Sequence, residues 1–410
     1  MRLLLTILFS TTMLLLQART IVVGKSQVVT TIKEGIALAA HGDTVLVQEG
    51  NYREGPIVLE KSIHLIGVNM PVIDGENQFE NLTLSGERIV VRGFHFTRSG
   101  ISSMNDYAAV KIIDARYVIV EGNTITESYF AIHVANTTYS IIASNNIKGI
   151  PKSEHNSGNG IHLWKCADMV VEDNTIEGHR DGIYFEFVTH SFISNNTSRG
   201  NIRYGLHFMF SHNDTYMENT FRDNGAGVAV MYSNKVLMMK NHFDRNWGSS
   251  AYGILLKDIS DSRILHNIFQ QNTVAILMEG SNRIMIGMNL FNANGWSLRM
   301  QANCSESEVY HNNFQGNTFD IATNGSLTLN RFYNNYWDKY EGYDIDRNGF
   351  GDIPYHPVSL YAMIIEQNPN SVLMLRSFTA SLLDKAEKAI PSLTPENLAD
   401  EQPLMKPLAL

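Results

Sequence analysis

Four side chains that commonly bind metals lie in short, alternating segments of this 410-residue sequence: His162, His207, Met209 and Met231. Imidazole nitrogen is a frequent copper ligand, and thioether sulfur favours the soft Cu(I) ion. If the fold places these segments side by side, the four residues form a transient copper site. The alternative is that they are aligned surface side chains, or side chains that lie beneath a loop.

A repeat of about 22 residues carries these segments and must position them. One pattern is Asn, any residue, then Ile or Phe, as in 174–176, and the other is a small residue followed by strict alternation, as in 160–164. Alternation with period two indicates strands with one buried face, and the repeat is too short for a pair of helices. The sequence therefore predicts an all-β fold, a right-handed parallel β-helix over residues 19–357. The recurring asparagines are expected to stack and to be structural.

In such a fold, outward side chains of one strand stack on those of neighbouring coils, about 4.8 Å apart. The alternation predicts one column of His162, Tyr184, His207, Ala229 and Leu255, and a second of Trp164, Glu186, Met209, Met231 and Lys257. Adjacent rungs are close enough to share a ligand. The same columns suit a sugar, with aromatic rings for stacking and Glu186 as an acceptor. A polysaccharide-cleaving enzyme needs paired carboxylates, or acids with a base, on neighbouring rungs, and no convincing acidic pair is visible. We therefore expect a protein that is not an enzyme.

Both ends of the predicted β-helix carry residues that could close it. Residues 31–40 (TIKEGIALAA) have the pattern of a short amphipathic helix, which would cover the exposed sheet edge at the start. At the other end, Tyr336, Trp337, Tyr340 and Tyr343 form an aromatic cluster that is expected to plug the solenoid.

An acidic segment follows this aromatic cluster. Asp344, Asp346 and Asn348 place oxygen ligands at alternate positions before a glycine, with Asp352 nearby, as in the first half of a calcium-binding loop. The bidentate Glu of a full EF-hand is missing, because Tyr355 occupies that position. Either a simpler structural calcium site or a polar turn held by Asx hydrogen bonds fits this segment.

The start of the chain predicts export. Arg2 precedes an apolar run that ends near Ala18, which is typical of a cleavable signal peptide over residues 1–18. The net charge of −9 gives no indication of nucleic-acid binding. Cys166 and Cys304 would lie about six rungs apart, too far for a disulfide, so both are predicted to be free thiols used in packing.

Two segments resemble known families. Residues 42–75 are similar to the opening of the carbohydrate-binding and sugar-hydrolase (CASH) class of β-helices, and residues 334–357 (NNYWDKYEGYDIDRNGFGDIPYHP) resemble the closing signature of the NosD family. The tail, including residues 368–373 and 400–407, is also similar to that family. The resemblance implies a periplasmic accessory protein of nitrous oxide reductase, NosZ. Its expected partners are the ABC transporter permease NosY, the ATPase NosF and the copper chaperone NosL, in assembly of the copper–sulfide centre.

The C-terminal region, residues 358–410, is predicted to contain helices over 359–366 and 370–390, followed by an extended end. Leu375, Phe378 and Leu382 lie at helical spacing in the second helix, which either folds back on the coils or docks on a partner such as the permease. The leading hypothesis is thus a non-enzymatic maturation factor that receives or hands over copper. A carbohydrate-binding or carbohydrate-cleaving β-helix is the alternative, and a scaffold without a ligand is the third.

Overall fold

The computed structural model describes residues 18–101, 106–150, 153–154, 157–325, 327, 329–375, 377–389 and 398–410. The predicted signal peptide lies outside the described residues, apart from Ala18. The described chain forms a parallel β-helix of three sheets with 14, 12 and 13 strands, here called sheets A, B and C. This architecture confirms the predicted fold class.

Each complete coil contributes one strand to each sheet, and every pairing between named strands is parallel. Sheet A contains β1 (Thr20–Val23), β2 (Thr44–Val47), β5 (His64–Gly67), β8 (Val90–Arg92), β11 (Ile119–Glu121), β14 (Ile141–Ala143), β17 (Val170–Glu172), β20 (Phe192–Ser194), β23 (Thr215–Met217), β26 (Leu237–Met239), β29 (Ser260–Leu265), β32 (Asn282–Gly287), β35 (Glu308–Tyr310) and β38 (Arg331–Tyr333). Sheet B contains β4 (Ile57–Leu59), β7 (Leu82–Glu87), β10 (Ala108–Arg116), β13 (Phe130–Ala135), β16 (Ile161–Trp164), β19 (Asp181–Glu186), β22 (Tyr204–Met209), β25 (Ala226–Met231), β28 (Tyr252–Lys257), β31 (Val274–Glu279), β34 (Trp296–Met300) and β37 (Phe319–Ala322). Sheet C contains β3 (Asn51–Tyr52), β6 (Val72–Asp74), β9 (His95–Thr97), β12 (Thr124–Thr126), β15 (Asn146–Lys148), β18 (Thr175–Glu177), β21 (Thr197–Arg199), β24 (Thr220–Arg222), β27 (His242–Asp244), β30 (Ile268–Gln270), β33 (Leu290–Asn292), β36 (Asn313–Gln315) and β39 (Tyr336–Trp337).

Side chains that alternate inward along these strands stack into ladders that form the core. The longest aromatic ladder lines the inner face of sheet C, with ring centroids 4.1–5.5 Å apart: Phe221, Phe243, Phe269, Phe291, Phe314 and Trp337. These rings are fully buried, and such stacked pairs stabilise the fold beyond their area burial. The core is therefore a continuous rod that runs along the axis of the solenoid.

Asparagines at the corner before sheet C form a second ladder. In a typical step, Asn267 donates from its backbone N and from Nδ2 to Oδ1 of Asn289, at 2.8 and 3.0 Å, and also from Nδ2 to the Met238 carbonyl at 3.0 Å. The same pattern of bonds satisfies each buried amide and links each coil to the next, as at Asn145 and Asn174. The structural role predicted for these residues is confirmed.

The N-terminal helix also forms as expected. Helix α1 spans Ile32–Leu38, and the Thr31 hydroxyl accepts from the Glu34 backbone N at 3.2 Å as its N-cap. It contacts β1, β2 and β4 at the start of the solenoid. The helix therefore covers the start of the solenoid, as the sequence predicts.

The C-terminal helices differ in part from the prediction. Helix α2 spans Leu360–Gln367 and is capped by Ser359, close to the expected bounds. The single helix predicted over 370–390 is instead a 3-10 turn (Pro369–Met374) followed by α3 (Phe378–Ala389). The break has a local cause, because Leu375 is extended with ψ 132° and the Ser377 hydroxyl accepts from the Ala380 backbone N as a new N-cap. Within the described ranges, no helix is long and apolar enough to cross a membrane.

The last residues of the chain return to the solenoid and complete its final coil. The Asp400 carboxylate continues the asparagine ladder, since it accepts from the backbone N of Asn334 at 3.0 Å, the backbone N of Asn335 at 2.9 Å and Nε1 of Trp337 at 3.0 Å. Leu404 donates from its backbone N to the Asn335 carbonyl at 2.8 Å. The extended end of the tail, residues 398–410, is thus part of the β-helix.

Candidate functional site

The two outward columns predicted on sheet B are present. Strand register places His162 beside Tyr184 and Tyr184 beside His207, while Glu186, Met209 and Met231 follow one another in the second column. The alternate residues of these strands point into the core and are fully buried. The register therefore fixes which outward side chains occupy adjacent rungs.

The structure divides the four predicted copper ligands into separate groups. Met209 and Met231 occupy adjacent rungs, and His207 lies two residues before Met209 on the same face of β22. His162 is two rungs from His207, and the Tyr184 ring stands between them, with centroid distances of 4.7 and 4.9 Å. Two rungs span about 9.6 Å, whereas two nitrogens bound to one metal are at most about 4 Å apart. His162 therefore cannot share an ion with His207 in this arrangement.

A further histidine, His133, belongs to the same column and was not recognised in the sequence. It pairs with His162 in register, and the two ring centroids are 4.8 Å apart. Its segment, 131–134, has the alternation of the later coils, but Ala131 stands where those coils carry glycine. Alternation alone, followed one coil further toward the N-terminus, would have found it.

Burial keeps His133 and His162 uncharged near neutral pH. It lowers the pKa of His133 to about 4 and the pKa of His162 to about 3, and the charge of Asp106 opposes the shift at His133. In the part of the chain that the structure describes, Nδ1 of His133, Nε2 of His162 and both ring nitrogens of His207 have no hydrogen-bond partner. An imidazole nitrogen without a hydrogen-bond partner is available to bind a metal.

A buried acid lies against His207. The Asp181 side chain is fully buried, and its Oδ2 is 3.8 Å from Nδ1 of His207 and 3.5 Å from Nε of Arg180. Its Oδ1 accepts from the Tyr204 backbone N at 3.3 Å, and the Tyr204 ring packs 4.8 Å from the His207 ring. Asp181 and His207 are thus an acid and a base on neighbouring rungs, a pairing that the sequence analysis did not find.

The second column is more exposed to solvent than the first, and it contains the thioethers of Met209 and Met231. The Tyr184 hydroxyl donates to the Met209 thioether at 3.5 Å, and burial, together with Glu186, raises the pKa of Tyr184 to about 12. Lys165 lies 4.2 Å above the Trp164 ring. Nowhere in the described residues do three His, Cys, Asp or Glu side chains converge on one point. A metal on this face would therefore need thioether ligands or a low coordination number.

Longer connections precede several strands of sheet B. Connections from sheet C to sheet B are short in most coils, as at 178–180, but are longer at 75–81, 98–107, 149–160 and 245–251. From the connection at 149–160, Glu154 comes within 3.8 Å of Arg203, which precedes β22. Loops that are the variable part of a rigid scaffold often carry function, and two of these lead into strands next to or within the histidine column.

The residues proposed for calcium lie together in a tight turn. Asn348 donates from its backbone N to Oδ1 of Asp344 at 3.1 Å and to Oδ1 of Asp346 at 3.2 Å, so both carboxylates approach the same point. Asp352 accepts from the Ile345 backbone N at 2.6 Å, and Gly349 donates to Asp344 at 2.9 Å. These Asx hydrogen bonds form the polar turn of the alternative interpretation, and the calcium site stays a prediction.

The three tail residues predicted to bind a partner are exposed. Leu375, Phe378 and Leu382 have exposed fractions of 39%, 82% and 54%. Helix α2, in contrast, packs on the last strands of sheet B through Ala362 and Ile365. The helical region is thus attached to the solenoid at one side and presents apolar side chains at another.

The two cysteines serve in packing. Within the described residues both are free thiols, and Cys166 and Cys304 are each 3% exposed. Burial raises the pKa of the Cys166 thiol to about 11, so the protonated form predominates at neutral pH. This agrees with the interpretation from the sequence.

Comparison with solved structures supports the architecture. The fold is similar to a family 28 exopolygalacturonase of Yersinia enterocolitica, with TM-score 0.51, 10% identity, and coverage of 77% of this chain and 78% of that chain. It is also similar to the periplasmic alginate epimerase AlgG, with TM-score 0.51, 15% identity, and coverage of 72% and 76%. At these identities the similarity shows the fold alone.

Sequence comparison shows similarity to one named family. A family model described as "Periplasmic copper-binding protein (NosD)" matches residues 149–350, and one described as "Right handed beta helix region" matches residues 59–215. A "Probable ABC transporter binding protein NosD" of Pseudomonas aeruginosa is 27% identical over 392 residues, covering 91% of both chains. A protein of the same name from Stutzerimonas stutzeri is 32% identical over 72 residues, covering 18% of this chain and 16% of the relative. This right-handed parallel β-helix is therefore similar to the NosD family, both in the segment that the family model matches and over most of the length of one relative.

Proposed function

We propose that this protein is a periplasmic, non-enzymatic maturation factor that binds copper transiently during assembly of the copper–sulfide centre of nitrous oxide reductase, NosZ. The family model and the relatives support copper binding and association with an ABC transporter, as their names describe. The same family description and the predicted signal peptide at residues 1–18 support a periplasmic location. NosL is the proposed donor of the copper.

One observation in the structure carries this proposal. His207, Met209 and Met231 combine an imidazole that lacks a hydrogen-bond partner in the described structure with two thioethers on adjacent rungs of one sheet face. A thioether pair with one imidazole matches the preference of Cu(I), and it excludes harder ions such as Mg²⁺. The thioethers are half-buried, which allows an ion to enter and leave.

The copper proposal is tested by anaerobic Cu(I) titration of the mature protein against a competing chelator. We expect tight binding that falls at least tenfold in the variant Met209→Leu/Met231→Leu, since leucine keeps the volume and removes both sulfurs. Met217 and Met239 provide a matched control, because they are also half-buried and lie on adjacent rungs, but of sheet A. Equal loss of affinity in Met217→Leu/Met239→Leu would move the site to sheet A.

The transporter is proposed to dock on the apolar tail. Leu375, Phe378 and Leu382 are exposed near the end of the solenoid, where a contact with the permease NosY, and through it with the ATPase NosF, would bury them. Deleting the tail is a poor test, because residues 398–410 complete the last coil. Point substitutions avoid this problem.

Phe378→Ser/Leu382→Ser is therefore the variant of choice. We expect it to keep its melting temperature and to lose co-purification with the transporter. Val28→Ser is the matched control, because Val28 is 97% exposed but lies near the opposite end. Co-purification that is unchanged in the double variant would show that the transporter binds elsewhere.

A second candidate function, action on a carbohydrate, is favoured by one observation. Asp181 and His207 form an acid–base pair 3.8 Å apart on neighbouring rungs, the arrangement that a β-helix polysaccharide enzyme requires. Both side chains are almost fully buried, which opposes contact with a sugar. Incubation with uronic-acid polymers distinguishes the two functions. A product that the wild type forms and Asp181→Asn does not form would support catalysis. If the wild type forms no product but binds copper, the maturation role is supported.

A further inference from the structure

The histidine pair at the N-terminal part of the column has the features of a separate binding site. His133 on β13 and His162 on β16 occupy adjacent rungs, and no other side chain stands between their rings. His133 is only 7% exposed, and a buried imidazole nitrogen without a hydrogen-bond partner is unfavourable. In the described structure each ring of the pair keeps one nitrogen without a partner, Nδ1 of His133 and Nε2 of His162, and a ligand that bonds to both would satisfy them.

The surroundings leave one nitrogen of each ring available to a ligand. Nε2 of His133 faces Asp106 at 3.9 Å, which leaves Nδ1 unpartnered in the described structure. Nδ1 of His162 lies 3.4 Å from the Asn159 amide, whose Oδ1 has no other partner there. With the amide turned so that Oδ1 accepts from Nδ1–H, the lone pair of His162 is on Nε2. Such outer partners are what fix the tautomer of metal-binding histidines.

An apolar ring and a paired lysine lie next to the two histidine rings. The Phe130 ring packs 5.4 Å from each of the two histidine rings. Lys111 occupies the rung next to His133, but its ammonium group pairs with Glu80 at 3.2 Å. A monovalent ion between the rings would therefore not face an unpaired positive charge.

We propose that His133 and His162 hold one Cu(I) ion between their imidazole rings, as a second copper site on the column. This inference rests on the proposed copper role, and it adds a site to the one at Met209 and Met231. Two nitrogens about 2 Å from one ion fit between rungs about 4.8 Å apart after small ring rotations. Zinc is disfavoured, because it takes four ligands, and no group of three His, Cys, Asp or Glu converges within the described residues.

With the second site, two copper sites with different ligands would lie one after the other along the column. Tyr184 separates His162 from His207, so the two sites are distinct and lie along the solenoid axis on one face. One site offers nitrogen ligands alone and the other offers sulfur, so the two would differ in affinity for Cu(I). An ion passed along the face would thus move between two different ligand sets.

The test is anaerobic Cu(I) titration and X-ray absorption of the full mature protein and its variants. We expect the wild type to bind two ions, and His133→Phe to bind one with sulfur among its ligands. Met209→Leu/Met231→Leu should bind one ion with nitrogen ligands only. Because this variant keeps both histidines, it tests the second site even if His133→Phe does not fold. His242→Phe is the control, because its Nε2 also lacks a partner in the described structure but lies on sheet C.

The outcomes separate this inference from the copper proposal. If both His133→Phe and His133→Gln bind as many ions as the wild type, the pair is not a site, and the proposed function stands. Sulfur ligands around every ion, including the one left in the methionine variant, would also overturn it. A wild type that binds no Cu(I) overturns both the second site and the first.

Discussion

The Tyr184 hydroxyl lies 3.5 Å from the sulfur of Met209 and donates a hydrogen bond to it. The bond crosses from the histidine column to the methionine column, and it uses a lone pair that a metal would otherwise bind. Tyr184 also fills the rung between His162 and His207. One side chain thus separates the two histidines and restrains a thioether of the proposed copper site.

Replacing this tyrosine is expected to strengthen copper binding. Tyr184→Phe keeps the ring stack and frees the Met209 sulfur, so Cu(I) affinity should rise about three- to tenfold, since a hydrogen bond contributes about 1 kcal/mol. Chelator competition measures the change. Tyr252→Phe is the control, because it removes a hydroxyl bonded at 3.3 Å to Tyr204 and leaves Met209 unaffected. An affinity that falls in Tyr184→Phe would mean that the phenol assists binding.

The buried carboxyl of Asp214 makes stability depend on pH. Burial raises its pKa from 3.8 to about 8, although it accepts from the Ser191 backbone N at 2.8 Å. The unfolded chain releases this proton near pH 4 and the folded chain near pH 8, so the contribution to stability is full below pH 4 and is lost as the pH rises between these values.

Asp214→Asn should therefore raise the free energy of unfolding at pH 7, by on the order of 2–4 kcal/mol, and change little at pH 4. The amide keeps the acceptor for Ser191 and cannot ionise. Melting temperatures at the two pH values measure the effect, with Asp168→Asn as a half-buried control. An equal shift at both pH values would show that packing, not ionisation, is responsible.

The carboxylate of Asp400 is expected to hold the end of the solenoid. Asp400→Ala leaves the donors of Asn334, Asn335 and Trp337 without their acceptor, which should lower stability by about 3–5 kcal/mol. Thermal unfolding and limited proteolysis at the C-terminal coils measure the loss. The exposed neighbour Glu401 provides the control, because Glu401→Ala should be as stable as the wild type.

Calcium is expected to stabilise the acidic turn. Asp344 and Asp346 approach a common point, and hydrogen bonds from the Gly349 and Asn348 backbone N–H groups lower the pKa of Asp344, so the turn carries ionised oxygens. Millimolar Ca²⁺ should raise the melting temperature by a few degrees, and Asp346→Asn should abolish the rise. A melting temperature that Ca²⁺ leaves unchanged would identify the segment as a polar turn held by its own hydrogen bonds.

Much of the fold followed from the sequence because its repeats are local. Inward and outward alternation identified the rungs of sheet B, and the recurring asparagines identified a corner of each coil. The columns of His207 and Met209 then followed from register alone. In a solenoid each residue contacts its own coil and the next, so spacing along the chain translates directly into contacts.

The features that the sequence did not predict depend on contacts or backbone conformations that the repeat spacing does not determine. Asp400 closes a ladder that ends at Asn335, 65 residues earlier, and nothing in the intervening helices indicates the return. Asp181 precedes the alternating part of its strand, so its approach to His207 appears only in the fold. The break between the 3-10 turn and α3 was missed because the apolar spacing continues through Leu375 while the backbone does not.

The return of the chain end has a consequence for the order of events during synthesis. The rung that covers the last coil is made of residues 398–410, so a nascent chain has no cover on its growing edge until these residues have been synthesised. Until then, the newest strands present unpaired N–H and C=O groups that invite pairing with other chains. Ribosome-bound and truncated forms would therefore depend on chaperones in a way that the finished protein does not.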